Sequence, residues 1–225
     1  MSDARTAILA RMRASLGQRA EDTARRAAVA DRLQRAPRGV IPARGQLDPA
    51  ARTELFCKMA EAVQASVARV ASAAAVPGEV CAYLKTHNLP ARVRMGADAR
   101  LAAMPWAGQP HLEVASGRAE GSDLATVSHA LGGVAETGTL VLTAGTDNPT
   151  TLNFLPEHHI AVVRESDLVG DYESIWDRLR QIHGKGVMPR TVNMITGPSR
   201  SADIEQTLLL GAHGPRALHI IVVAD

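Results

Sequence analysis

Ile160-Ala161-Val162-Val163, then Tyr172 to Ile182, then Thr191-Val192-Asn193-Met194-Ile195, is the stretch that decides the fold. It is a short apolar run, a helix and a second short apolar run. Runs of the same kind recur at Arg92 to Met95, His111 to Ala115, Leu140 to Thr143 and Leu218 to Val223, with loops between them. Strands that alternate with helices belong to layered α/β folds, where each crossover helix covers a face of the sheet. The pattern predicts an α/β fold with a largely parallel sheet after Pro90.

Upstream the chain reads as helical. Residues 77–88 predict a helix with Val80, Tyr83 and Leu84 facing inward. Asp48 caps a longer one, with Pro49 at its first position and a stripe of Leu55, Met59, Val63, Val67 and Val70. Pro37, Gly39, Pro42, Gly45 and Pro49 mark residues 37–49 as a linker. Residues 4–36 read as one or two helices, with Ile8, Leu9, Met12 and Leu16 at helical spacing and Gly17 ending the first. The expected organisation is a helical extension over residues 1–36, a linker over 37–49 and an α/β domain over 50–225. The extension carries eight arginines against four acidic residues. It is either an arm that docks on an acidic partner or a solvated helical face.

Composition bounds the function classes. Hydrophobic residues make up 46% of the 225 and aromatic residues only 3%, so the core is aliphatic. A net charge of +2 gives no general argument for nucleic acid. The two cysteines, Cys57 and Cys81, have no CxxC spacing, which excludes an iron–sulfur cluster ligated within this chain. They read as buried thiols in a reducing compartment. No apolar run approaches the roughly 20 residues of a membrane span, and Met1 to Arg13 lacks a signal-type apolar core. The expectation is a soluble, cytoplasmic protein.

Three constellations hold side chains that a core alone does not require. The first is Gly132-Gly133-Val134-Ala135-Glu136-Thr137-Gly138-Thr139, leading into Leu140 to Thr143. Its glycines allow tight backbone and close approach of a ligand, and Glu136 and Thr137 offer a carboxylate and a hydroxyl. It is neither GxGxxG nor a Walker loop, and a plain turn entering a strand is the other reading. The second is Asn153-Phe154-Leu155-Pro156-Glu157-His158-His159-Ile160. Side chains alternate along extended chain, so the adjacent histidines point to opposite faces, which leaves one able to face a pocket and the other solvent, and a structural or solvent-facing role for either is the other reading. A pocket-facing histidine suits acid–base work.

The third runs from Thr196 through Gly197-Pro198-Ser199-Arg200-Ser201-Ala202-Asp203-Ile204-Glu205 to Gly211-Ala212-His213-Gly214-Pro215. Ser199 or Ser201 could cap a short helix over Ala202 to Glu205. Free amides beside Arg200 suit an anionic group, and Asp203 could orient Arg200 or a histidine, while a capped turn whose Arg–Asp pair only holds the loop is the other reading. A metal would need Asp203, Glu205 and His213, a spacing that matches no known zinc pattern. There is no GxSxG around a serine nucleophile.

Together these segments resemble the LUD (lactate utilization) domain family. That family runs an AETGT loop into an LVL strand, then LP..HI, SGPS.TADIE and G.HGP. Here the matching residues are Ala135 to Thr139 with Leu140 to Leu142, Leu155-Pro156 with His159-Ile160, Gly197-Pro198-Ser199 with Ala202 to Glu205, and Gly211 with His213-Gly214-Pro215. Thr196, Ser201 and Ala212 depart mildly, where the family has Ser, Thr and Val. Arg5 to Gly17 looks like the family's opening helix. The resemblance implies a three-layer α/β/α fold similar to the ribose-phosphate isomerase and CoA-transferase superfamily. It implies a part in oxidising L-lactate to pyruvate with iron–sulfur partner proteins. It assigns no catalytic residue and no cofactor.

The expected site joins all three constellations in one pocket. His213, His159 and Glu136 are the candidate catalytic groups. Gly133, Thr137, Gly138, Thr139, Gly197, Ser199, Arg200, Asp203 and Gly214 are candidates for holding a small anionic ligand, and no metal is expected. A non-catalytic assembly subunit, and an independent enzyme acting on a phosphorylated or CoA-linked anion, are the alternatives.

Overall fold

The computed structural model describes residues 2–17, 22–201 and 209–224. The short helix expected over Ala202 to Glu205 lies outside them. The chain divides into two units, residues 1–40 and 41–225.

The first unit holds helices α1 (Ser2–Ser15) and α2 (Thr23–Arg35). Gly17, at φ 62, lies in the turn after α1. Asp22 caps α2 by accepting from the Arg25 amide, and Ala36 ends it in the left-handed region.

The second unit carries the rest. Its elements run α3 (Pro49–Ala62), β1 (Ser66–Val70), α4 (Val76–Thr86), β2 (Arg92–Met95), α5 (Ala99–Ala102), β3 (Glu113–Ser116), β4 (Ala125–His129), β5 (Gly132–Val134), β6 (Thr139–Thr143) and α6 (Thr150–Phe154). They continue with β7 (His158–Arg164), β8 (Leu168–Val169), α7 (Tyr172–His183), β9 (Val192–Ile195), β10 (Arg200–Ser201), β11 (Leu209–Leu210) and β12 (Ala217–Val223). Six strands form one parallel sheet in the order β1-β12-β7-β4-β2-β3. This is the largely parallel, helix-flanked sheet that the sequence predicts.

Burial on both faces explains why β7 and β12 read as unbroken apolar runs. Ile160, Val162, Ile221 and Val223 face Val80 and Leu84 of α4 and Leu101 of α5. Ala161, Val163, Ile220 and Val222 face Phe56 and Ala60 of α3 and Leu140 and Leu142 of β6. The second layer is therefore not helical alone. A four-stranded sheet, β8-β5-β6-β9, shares it with α3, and α7 covers that sheet's far side through Ile175 and Leu179. Leu140 to Thr143 and Thr191 to Ile195, expected in the parallel sheet, pair antiparallel here.

Two further expectations are corrected. The long helix after Asp48 was to run through Val70, but it ends at Ala62, and Gln64 (φ 70) reverses the chain into edge strand β1. Val63, Val67 and Val70 happen to continue the helical spacing, so the pattern could not show the break. Strand β4 was not foreseen, because Ala125-Thr126-Val127-Ser128-His129 is small and polar although every residue in it is buried. Thr126 donates to the Leu152 carbonyl at 2.6 Å and Ser128 donates to Asn153 Oδ1 at 3.1 Å, so α6 satisfies the buried hydroxyls.

Candidate functional site

A cavity of about 260 Å³ opens beside the amino ends of β7 and β12. His159, the second residue of β7, and Leu218, the second of β12, form its floor. Asn153 and Phe154 of α6, Met194 and Ile195 of β9, and the segments 196–200 and 213–215 complete it. Drug-sized ligands occupy roughly 300–1,000 Å³, so this cavity suits a smaller metabolite.

The two rim segments are knitted by backbone. The Ser199 amide donates to the Pro215 carbonyl at 2.8 Å, and the Gly211 amide donates to the Ser199 carbonyl at 3.0 Å. The His213 amide donates to Ser199 Oγ at 3.3 Å. Arg200 opens the β10–β11 hairpin, and its guanidinium donates to the Val63 carbonyl just past α3. That bond fixes the exposed guanidinium at the rim.

Unmatched polar atoms mark the interior. His159 is 1% exposed, and neither ring nitrogen has a hydrogen-bond partner. Asn153 is equally buried, and its Nδ2 has no partner although its Oδ1 accepts from Ser128. Buried polar groups in folded proteins are almost always paired. Both residues are among those that line the cavity. Burial pushes the His159 pKa down to about 4, so the ring is neutral near neutral pH and can donate through one nitrogen while accepting through the other.

Six expected residues line this cavity: His159, Gly197, Ser199, Arg200, His213 and Gly214. Asp203 lies outside the described residues. Thr137 and Thr139 stand one step behind the wall. Thr139 Oγ1 lies 2.7 Å from Thr137 Oγ1, 2.8 Å from the Tyr172 hydroxyl and 2.7 Å from Thr196 Oγ1, and Thr196 is a lining residue. Gly133 packs between Phe56 and Leu168, where a Cβ would come within 2.6 and 2.7 Å of their side chains. Glu136 is buried and faces away, with Oε2 3.7 Å from Arg44 Nε and no hydrogen bond. The close approach at Gly138 is to helix α3, not to the cavity. At φ 66, a Cβ there would meet the Ala60 amide and sit 2.6 Å from the Met59 carbonyl carbon. Gly197, at φ 77, presses on Val63 in the same way.

The paired histidines part as alternation requires, but His158 does not reach solvent. Its Nδ1 lies 2.9 Å from the Tyr83 hydroxyl on the opposite face of the sheet. His219 stacks on the same Tyr83 ring with centroids 4.4 Å apart. Asn153 and Thr196 are the lining groups that sequence reasoning passed over. The signal was an amide within an apolar segment that goes on to bury. Among the described residues, no group of three or more His, Cys, Asp or Glu side chains is placed to hold a metal.

Residues 118–223 match the model of the LUD domain. Over 92 residues the chain is 39% identical to lactate utilization protein C of Shouchella clausii, which covers 41% of this chain and 40% of that one. It is 42% identical over 93 residues to lactate utilization protein C of Bacillus subtilis, covering 41% and 39%. The matched stretch thus spans about two fifths of these relatives. A crystal structure of a DUF162 family protein from Deinococcus radiodurans superposes with a TM-score of 0.58 at 23% identity, over 79% of this chain and 99% of that one, and shares the fold. Among the described residues, no helix is long and apolar enough to cross a membrane. Over residues 118–223, this chain matches the LUD domain model and is similar there to lactate utilization protein C.

Proposed function

We propose that this chain is a cytoplasmic component of an L-lactate utilization system and that the 260 Å³ cavity binds the three-carbon hydroxy acid or its oxo product. The observation that carries this reading is the buried pair His159 and Asn153, which line a cavity of about 260 Å³ and hold polar atoms without partners. In it, Arg200 and the amides of the 197–200 turn hold the carboxylate. His159 meets the hydroxyl, accepting its hydrogen bond on one ring nitrogen, and His213 stands at the rim for proton exchange. The names of the curated relatives supply the link to lactate.

Converting a hydroxy acid to an oxo acid releases two electrons and two protons. With two cysteines, both unpaired and on separate helices, this chain cannot ligate a cluster to receive the electrons. Iron–sulfur partner proteins are the acceptors in this proposal, and the chain contributes binding and orientation.

The test is titration of the purified chain with L-lactate and with pyruvate, followed by calorimetry or by thermal shift, which rises with ligand concentration over Kd. Arg200→Gln and His159→Leu are each expected to weaken binding about tenfold or more, the value of a charge-assisted or buried hydrogen bond. Glu136→Gln leaves it unchanged. If neither acid binds, or if both cavity variants bind like the parent, the assignment of this cavity is wrong.

A further inference from the structure

A second, larger cavity of about 570 Å³ lies elsewhere in the same unit. Its lining includes Arg118 and Arg190 and the hydroxyl residues Thr146, Thr150, Thr151 and Thr191. The topology brings these together from distant parts of the chain. Arg118 follows β3 by two residues, and its loop is held because the Ala119 amide donates to Thr151 Oγ1 at 3.0 Å. Arg190 and Thr191 lead into β9, and Thr191 is fixed because its carbonyl accepts from the Ala144 amide at 2.9 Å. The Thr146 carbonyl accepts from the Ala97 amide just past β2, which sets the loop across the carboxyl end of that strand. Ligands of open α/β sheets bind beyond the carboxyl ends of the strands, and this cavity lies there beside β2 and β3. The 260 Å³ cavity lies by the opposite ends of β7 and β12.

Charge decides what the second cavity takes. Most arginines of this unit are spoken for: Arg69 by Glu165, Arg94 by Asp123, Arg100 by Asp98, Arg178 by Asp167 and Arg216 by Glu157. Among the described residues, neither Arg118 nor Arg190 has an ion-pair partner, and the Asp147 carboxylate lies against Gly145 of the lining. Two guanidinium groups supply up to about ten N–H donors and the hydroxyls add more, whereas one carboxylate accepts at about four sites. A phosphate offers three terminal oxygens and more charge, which guanidinium groups can meet bidentately. The volume, about twice that of the first cavity, leaves room for an organic body beyond the phosphate.

We infer that Arg118 and Arg190 form a second binding site, distinct from the His159 cavity, for a phosphorylated small molecule held by its phosphate. The inference does not depend on lactate as the ligand of the first cavity.

Inorganic pyrophosphate is the probe, with inorganic phosphate as the weaker form and malonate as a dicarboxylate control. Calorimetry on the full chain at low ionic strength is expected to show pyrophosphate binding that weakens as salt is raised. Arg118→Gln and Arg190→Gln each reduce the affinity about tenfold, the double substitution abolishes it, and Arg200→Gln leaves it intact. Both arginines are exposed, so the variants should fold. A measurement that needs no variant is protection of the parent chain from phenylglyoxal, read residue by residue by mass spectrometry, with pyrophosphate slowing labelling at Arg118 and Arg190. Absent pyrophosphate binding, an undisturbed double variant, unprotected arginines, or malonate binding as tightly would each overturn the site.

Discussion

Gly138→Ala is expected to destabilise the second unit by about 3 kcal/mol or more, seen as a lower urea midpoint at an unchanged slope. Two costs add. At φ 66, the residue lies where a side chain costs roughly 1 kcal/mol before any contact is counted. The new Cβ then meets the backbone of Met59 and Ala60 rather than the end of a side chain that could swing aside. To relieve it, α3 has to move off β6, where Phe56 and Ala60 share a core with Leu140 and Leu142. Gly121→Ala is the control. It has an ordinary φ and nothing within 4 Å of the added methyl, so its midpoint should stay the same or rise slightly. Equal midpoints for the two variants would refute the account of Gly138 as a contact point for helix α3.

Acid should weaken this unit before most of its carboxylates titrate. Burial lowers the pKa of His159 to about 4, and burial together with nearby His87 does the same to His219. His129 and His158 are shifted in the same direction, burial being the first cause in each. His219 has two polar neighbours. Its Nδ1 meets Ser66 Oγ at 2.8 Å, and Glu79 Oε1 lies 3.4 Å from Nε2 but off the line of a hydrogen bond. In the unfolded chain each ring protonates near 6.5, and in the fold only near 4. Between those values the unfolded state binds more protons, so stability rises with pH there. It is fully present above the unfolded value and drains away as pH falls through the window. Going from about pH 7 to about pH 5 should cost about 2 kcal/mol per ring. Urea midpoints across that range check it, with His159→Leu removing that residue's share of the slope. A flat profile in the parent would contradict the burial of both rings.

The strands were legible where both faces are buried and the side chains are large, as in Ile160 to Val163 and Leu218 to Val223. They were hidden where burial is met by hydroxyls and alanines, as in β4, or where a break falls on residues that keep helical spacing, as at Gln64. Parallel and antiparallel pairing could not be told apart from the runs themselves, and β6 and β9 went to the second sheet. At the site, local chemistry was readable and direction was not. The Gly/Pro-bounded segment at 197–200 and the turn at 213–214 do reach one cavity with His159. Glu136 is as conspicuous in the sequence, yet the β5–β6 hairpin carries it toward Arg44. Glycines look alike whether they admit a ligand or a helix. Gly138 and Gly197 both sit against the carboxyl-terminal end of α3, a contact between residues far apart in sequence that no local pattern encodes.

Strand β12 comes later in the chain than any other strand of the parallel sheet, yet it is inserted between β1 and β7. Its pairing partners start at Ser66 and His158, so the ladder that joins Ser66 to His219 closes a very long loop. Until β12 leaves the ribosome, β1 has no neighbour in the sheet and β7 shows an open edge. Contacts this distant are slow to form, and open edges invite pairing with other chains. Without β12 the chain carries two unfilled strand edges, so a fragment cut before Ala217 would be aggregation-prone rather than a smaller folded protein.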